Sequence, residues 1–153
     1  MQYNLEGTLA TIAAATALSS PAMLLFFPWA LTTIPALIHT AHILSLSAPV
    51  PITLHLDHAQ TPALVCRAAD SRCFDSIKVN MSHHARDKNL RLTASLAAYC
   101  HDRGIAVEAE PGRIEGGEDG ARDTADLDAV LTSPDEARAF AATGHRLARS
   151  GFR

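Results

Sequence analysis

The chain is 153 residues long, with 13 basic and 16 acidic residues and a net charge of −3 at pH 7. This length is sufficient for one domain with a hydrophobic core, and the near balance of charge predicts neither a nucleic-acid-binding surface nor an acidic tail. The three cysteines, Cys66, Cys73 and Cys100, form no CxxC pair. The sequence therefore indicates a reduced, cytoplasmic setting without a disulfide framework.

Helical and strand patterns alternate along the chain. Apolar spacing and start and stop signals predict helices at 5–18, 33–46, 62–69 and 89–103, a last helix opening at 133–136, and strands at 23–27, 52–56, 76–80 and 105–109. This order predicts an α/β fold of about four parallel strands with covering helices. No linker rich in Gly and Ser divides the chain, so we expect one domain.

The first third of the chain is uncharged. No Asp, Glu, Lys or Arg occurs in residues 7–56, and the apolar run 21–38 has the length of about 18 residues that indicates a transmembrane helix. Pro21, Pro28 and Pro35 interrupt this run, and each removes a backbone donor. No Lys or Arg precedes it, as a signal peptide or a membrane anchor would require. We therefore interpret the run as buried α/β core, with a membrane-associated segment and a disordered or misfolded segment as the alternatives.

Polar residues stand where the predicted strands end. Asp57 and His58 follow the second strand, Asn80 ends the third, and Glu108 and Glu110 lie at the end of the fourth. Ligands bind at the carboxyl ends of the strands in parallel α/β folds. We therefore expect these side chains to converge on one edge of the sheet.

Two segments carry the residue types that suit metal and proton-transfer chemistry. Strand alternation places His55 and Asp57 on one face, with His58 at the exit of the strand. Imidazole is a zinc ligand, and a neighbouring carboxylate can transfer protons. Taken alone, the four-residue segment 55–58, His-Leu-Asp-His, fits ordinary hydrogen-bonded histidines equally well. Glu108 and Glu110 likewise fit either a solvated acidic segment or buried carboxylates that need a cation beside them.

In combination and in order, the segments resemble the class II fructose-bisphosphate aldolase family. The stretch VPITLHLDHA resembles the HxDH segment of the family, GIAVEAEPGRIEGGEDG its VEAE segment, and SIKVNMSHHARDKNL the strand and Ser-His segment between them. YNLEGTLATIAAA resembles the first helix, and LTSPDEARAFAATG resembles a later one. The resemblance covers residues 1–144 and implies a partial (β/α)₈ barrel, truncated at both ends, because a complete barrel needs about 200 residues or more.

The resemblance implies roles for individual residues. His58 matches a zinc ligand, and Glu110 matches a carboxylate that can hold the metal in an alternate position. Asp57 matches the group that exchanges a proton with the aldehyde oxygen, and Glu118 lies in the acidic loop near the exchangeable proton of the substrate. His55 would orient the substrate or support a ligand. A single Zn²⁺ would act as a Lewis acid on the substrate ketone.

Asn80 and Glu108 are further candidates for the shell around the metal ligands. Asn80 stands where the family usually carries Asp, and Pro111 stands where it usually carries Leu. The resemblance also places two more zinc histidines and the phosphate-binding segments on later strands, and one strand before Tyr3.

Residues 145–153 depart from the family pattern. One set of codons that would encode this tail, when read one base later, encodes Ile-Asp-Trp-Leu, which is the type of strand with which the family continues at this position. We therefore expect a frameshifted tail.

The implied function is reversible cleavage of fructose 1,6-bisphosphate by a cytoplasmic, zinc-dependent carbon–carbon lyase. The expected partners are a sugar phosphate and further copies of the chain, with no nucleic acid or membrane. The alternative is an inactive fragment that acts only as an interaction protein or pseudoenzyme. An open half-barrel exposes sheet edges and apolar surface, so we expect low solubility unless another chain covers it.

Overall fold

The computed structural model describes residues 1–113 and 130–143. In chain order the elements are α1 (Leu5–Ala17), β1 (Ala22–Phe26), α2 (Pro28–Thr33), α3 (Pro35–Ser47), β2 (Ile52–Ala59), α4 (Pro62–Ser71), β3 (Ser76–Val79), α5 (Arg86–His101), β4 (Ala106–Ala109) and α6 (Pro134–Ala141). The predicted alternation of helices and strands is confirmed.

The four strands form one parallel sheet in the order β1-β2-β3-β4. Its register pairs Leu25 with His55, His55 with Ser76, and Lys78 with Glu108. Because neighbouring strands are consecutive and parallel, the connection between each pair crosses back along the sheet through helices. The predicted α/β class with about four parallel strands is confirmed.

One face of the sheet forms the hydrophobic core. Alternate strand residues on this face are fully buried, namely Leu24, Phe26, Leu54, Leu56, Ile77 and Val79. The opposite face is more accessible, and Met23 is 50% exposed there. Since side chains alternate across a strand, the second face is where the polar residues His55, Asp57 and Lys78 lie.

The uncharged first third folds into several short elements. Pro28 and Pro35 each occupy the first turn of a helix, α2 and α3, where the missing N–H costs little. The sequence prediction missed α2 and began the following helix at residue 33, two residues before α3. Among the residues with described structure, no helix is long and apolar enough to cross a membrane.

Side-chain caps fix the starts of three helices. Asn4 accepts a hydrogen bond from the backbone N–H of Gly7 at the start of α1, and Thr61 caps α4 in the same way. Ser133 and Glu136 form a capping box at α6, which confirms the predicted helix start. Such caps typically contribute about 1 kcal/mol each.

The three cysteines are free thiols in different surroundings. Cys73 and Cys100 are buried, whereas Cys66 is half-buried. Burial raises the pKa of the Cys100 thiol to about 11 and also raises the pKa of Cys73. The thiolate is the reactive form, so these two thiols resist alkylation at neutral pH.

We expect Cys66 to react first when the folded chain is treated with a thiol reagent at pH 8. Cys73 and Cys100 should react only on unfolding, because both are shielded and both have raised pKa values. Mass spectrometry of the alkylated peptides measures the three rates, with the chain in guanidinium chloride as the control. Equal rates for the three thiols in the folded chain would contradict the observed packing.

Candidate active site

The ionisable groups of β2, β3 and β4 come together at one side of the sheet. Asp57 and His58 belong to β2, Lys78 belongs to β3, and Glu108 and Glu110 lie in and just after β4. We call these five residues the acidic cluster. The strands are adjacent and parallel, so their carboxyl ends meet, as the sequence predicted.

Lys78 lies among the carboxylates of the acidic cluster. Its Nζ is 2.9 Å from Glu110 Oε2, 3.5 Å from Glu108 Oε1 and 3.9 Å from Asp57 Oδ1. It is also 3.4 Å from His58 Nε2. Burial alone would lower the pKa of Lys78, but the hydrogen bond and charge of Glu110, with Glu108 and Asp57, outweigh it and raise the pKa. Lys78 is therefore a charged ammonium at neutral pH.

His58 lies at an irregular point in β2. The register between β2 and β3 shifts between Leu56 and Ala59, as in a β-bulge. His58 has a φ of 53° and is 6% exposed. A non-glycine residue in the left-handed region costs about 1–3 kcal/mol, and such strain is concentrated at functional sites. The bulge places His58 Nε2 3.6 Å from Asp57 Oδ1.

Asn80 and Ser82 hold the other side of the His58 ring. Ser82 donates from its backbone N–H and its hydroxyl to Asn80 Oδ1, at 3.2 and 2.7 Å. This fixes the amide so that Asn80 Nδ2, which can only donate, faces His58 Nδ1 at 2.9 Å. Both ring nitrogens of His58 therefore lie against donor groups, Nδ1 against the Asn80 NH₂ group and Nε2 against the Lys78 ammonium at 3.4 Å.

His55 lies further back along β2 and is 4% exposed. Its Nδ1 is 2.7 Å from Ser76 Oγ, and its Nε2 is 3.9 Å from Glu108 Oε2. Burial lowers the pKa of His55 although Glu108 and Asp57 act in the opposite direction. The imidazole is therefore mainly neutral at pH 7 and connects β2 to the side chains of β3 and β4.

The backbone at Glu110 is anchored by α5. Asn89 is 1% exposed, and its Nδ2 donates to the carbonyl of Glu110 at 2.9 Å. Asn89 Oδ1 accepts from Thr93 Oγ1 at 3.0 Å. Arg113 donates from Nη1 to the carbonyl of Ser82 at 2.8 Å. These contacts fix the segments that follow β3 and β4.

Comparison with known proteins gives the same family that the motifs indicated. The family model described as "Fructose-bisphosphate aldolase class-II" matches residues 1–149. The chain belongs to this family. It is 59% identical over 150 residues to a Coccidioides immitis protein described as a candidate fructose-bisphosphate aldolase, with 93% of this chain and 50% of that protein covered. A fructose-bisphosphate aldolase of Helicobacter pylori is 42% identical over 91 residues, covering 60% of this chain and 29% of that protein.

Solved structures agree with this membership. The crystal structure of the Coccidioides immitis protein superposes with a TM-score of 0.88, covering 94% of this chain and 50% of that one. The YdjI aldolase of Escherichia coli K12 is 26% identical with a TM-score of 0.74, covering 93% of this chain and 52% of that one. The chain thus spans about half the length of these relatives, and its four strands are part of an aldolase barrel.

The described residues do not fit a zinc ion in their present arrangement. No group of three or more His, Cys, Asp or Glu side chains within residues 1–113 and 130–143 is placed to hold a metal. Glu110, a predicted ligand of this class II aldolase chain, is paired with Lys78. His58, the other predicted ligand, has donor groups against both ring nitrogens, Asn80 Nδ2 at Nδ1 and the Lys78 ammonium at Nε2.

The structure brings together most of the residues predicted for the aldolase site. The acidic cluster contains the predicted residues Asp57, His58, Glu108 and Glu110. His55 contacts it through Glu108, and Asn80 contacts it through His58. Glu118 and the proposed frameshifted tail at 145–153 lie outside the described residues and stay predictions.

Sequence reasoning missed Lys78, Ser82 and Asn89. For Lys78 the available signal was strand alternation, because residues 78 and 80 share a face and residue 78 pairs with Glu108. Ser82 and Asn89 gave no such signal, since their roles depend on contacts to His58 through Asn80 and to the Glu110 backbone.

Proposed function

We propose that this chain takes part in reversible aldol cleavage of fructose 1,6-bisphosphate to dihydroxyacetone phosphate and glyceraldehyde 3-phosphate, a step of glycolysis and gluconeogenesis. The observation that carries the proposal is the convergence of Asp57, His58 and Glu110 at the ends of β2 and β4. Family membership supports the same reaction class.

In this proposal Asp57 exchanges the proton of the aldehyde oxygen. Cleavage removes a proton from the hydroxyl that becomes the aldehyde, and condensation returns it. Asp57 is suited to this task because its carboxylate lies within the acidic cluster, 3.6 Å from His58 Nε2 and 3.9 Å from Lys78 Nζ. Glu118 is proposed for the second proton, next to the ketone.

Zinc dependence belongs to the proposal in a conditional form. His58 and Glu110 would serve a Zn²⁺ ion only after their present partners, Asn80 and Lys78, had changed. The family resemblance assigns further zinc histidines to later strands. We assign no step of the reaction to the ion.

The substrate class and the assembly are also proposed. The substrate is a sugar 1,6-bisphosphate, with fructose or tagatose as the sugar. A homo-oligomer would cover the exposed apolar residues Leu9, Leu18 and Met23. A cytoplasmic setting is supported by the three unpaired cysteines.

A non-catalytic role is the second candidate. It is favoured by one observation, the 2.9 Å ion pair in which the Lys78 ammonium takes up the carboxylate of Glu110. In such a pseudoenzyme the acidic cluster would hold strands β2, β3 and β4 together. It would not turn over a substrate.

The test is an assay of the purified chain with fructose 1,6-bisphosphate, with and without added Zn²⁺, coupled to reduction of the triose products. We expect Asp57→Asn to lower the cleavage rate about 100-fold or more, as expected for loss of a general acid–base group. The matched control is Asp87→Asn, because Asp87 is exposed on the first turn of α5 and should leave the rate unchanged.

Two outcomes contradict the catalytic proposal. One is a wild-type rate equal to that of buffer, which favours the non-catalytic role. The other is an Asp57→Asn variant that cleaves the substrate as fast as wild type, which removes Asp57 from the reaction.

A further inference from the structure

The acidic cluster already contains a cation of its own. We propose that Lys78 and Asn80 together adapt this half of the aldolase site to an internal ammonium ion in place of zinc. The inference depends on the contacts of these two residues and is independent of which sugar the protein cleaves.

The first step of the argument is the position of the ammonium. An ammonium group has three N–H donors, and the carboxylates of Glu110, Glu108 and Asp57 surround Lys78 Nζ at 2.9, 3.5 and 3.9 Å. A zinc ion bound to the same oxygens would lie about 2.0–2.2 Å from them. The metal and the ammonium would therefore compete for the same oxygens of Glu110, and their positive charges would repel each other.

The second step is the burial of this ion pair. The side chains of Lys78 and Glu110 are 15% and 20% exposed, so solvent screens their attraction less than at the surface. Removing one partner of a buried pair leaves an unpaired charge, which is strongly unfavourable. Binding of zinc to Glu110 would therefore have to offset the unfavourable free energy of separating Glu110 from Lys78.

The third step is the proton on His58. A metal-bound imidazole usually donates its other N–H to a carboxylate or carbonyl oxygen. In this chain the neighbour of Nδ1 is the NH₂ group of Asn80, because both donors of Ser82 hold Asn80 Oδ1 on the other side. Zinc on Nε2 would leave the ring proton on Nδ1, where it would face this NH₂ group and not an acceptor. Nε2 itself lies 3.4 Å from the Lys78 ammonium, which donates and would have to leave before a metal could bind there.

These two features act on different ligands and in the same direction. Lys78 neutralises the carboxylate ligand, and Asn80 presents a donor to Nδ1, the nitrogen that must carry the imidazole proton when a metal occupies Nε2. A carboxylate at position 80 would accept the proton of His58 Nδ1 and free Nε2. A neutral side chain at position 78 would free Glu110.

The test measures zinc affinity by competition with a chromophoric chelator. We expect Lys78→Met and Asn80→Asp each to bind Zn²⁺ about tenfold or more tightly than wild type, the scale on which groups next to metal ligands act. The double variant should bind most tightly. Lys88→Met is the matched control for the first change, because Lys88 is exposed. Asn4→Asp is the control for the second, because Asp also caps a helix.

Wild-type affinity equal to that of Lys78→Met and Asn80→Asp would overturn the inference. This readout is separate from cleavage of fructose 1,6-bisphosphate, so failure of the proposed function would leave it intact. Conversely, zinc affinity that rises only in the variants would support the inference even in a catalytically silent chain.

A second measurement uses the unaltered chain, in case the variants fail to fold. The sequence contains two lysines, Lys78 and Lys88, so acetylation with an N-hydroxysuccinimide ester followed by mass spectrometry compares them within one molecule. We expect Lys78 to react at least about tenfold more slowly than Lys88, as its ammonium is partly buried and paired. Excess Zn²⁺ should leave this ratio unchanged. Equal reactivity, or acceleration of Lys78 by zinc, would overturn the inference.

Discussion

Replacing Phe26 with alanine should lower the free energy of unfolding by about 3–5 kcal/mol. Phe26 is fully buried near the end of β1 and packs edge-to-face against Phe74, with ring centroids 6.4 Å apart. It also pairs with Leu56 of β2 in the sheet register. The loss is a large part of the 5–15 kcal/mol that typically stabilises a domain, so chemical denaturation should show a much lower midpoint.

The same strand provides the control. Met23→Ala removes a side chain of similar length that is 50% exposed, so we expect a much smaller change, within about 1 kcal/mol. Both variants are measured by urea unfolding monitored by far-UV circular dichroism. Equal destabilisation by the two changes would mean that the buried face of β1 is wrongly assigned.

Much of the fold was predictable because the strands are short apolar runs with clear boundaries. β2 and β3 were located at 52–56 and 76–80, close to Ile52–Ala59 and Ser76–Val79, since β-branched and apolar residues end abruptly at polar ones. The missed helix α2 shows the limit. In the sequence Pro28 indicates an interruption of an apolar run, whereas in the structure it begins a helix.

The candidate site was predictable to the extent that it depends on strand ends. Convergence of Asp57, His58 and Glu110 follows from parallel strand order alone. The bulge at His58 did not follow, because its left-handed φ of 53° depends on the pairing between β2 and β3. The position of Lys78 Nζ depends on contacts with three carboxylates on two other strands, which no local pattern encodes.

Asn89 provides the second large expected effect, because one buried amide fixes both α5 and the strand end that carries Glu110. We expect Asn89→Ala to lower the free energy of unfolding by about 2–3 kcal/mol. The change removes the donor to the Glu110 carbonyl and the acceptor of the Thr93 hydroxyl. It leaves two polar groups without these partners, and Thr93 is itself fully buried.

Two further variants separate the halves of this interaction. Asn89→Asp keeps an acceptor for Thr93 but loses the N–H donor and places a carboxylate beside the Glu110 carbonyl, so it should destabilise at least as much as alanine. Thr93→Val removes only the Thr93 hydroxyl, and its cost should be smaller. A double-mutant cycle between positions 89 and 93 measures their coupling.

The same amide links stability to the acidic cluster. Asn89 anchors the backbone of Glu110, and the Glu110 side chain holds Lys78, so Asn89→Ala should also speed the acetylation of Lys78 relative to Lys88. Thr93→Val should leave that ratio close to wild type, because the Asn89 donor to Glu110 remains. An Asn89→Ala variant with unchanged unfolding free energy and an unchanged acetylation ratio would show that α5 does not position Glu110. A lower unfolding free energy with an unchanged Lys78 to Lys88 acetylation ratio would show that Asn89 anchors α5 but does not position Glu110.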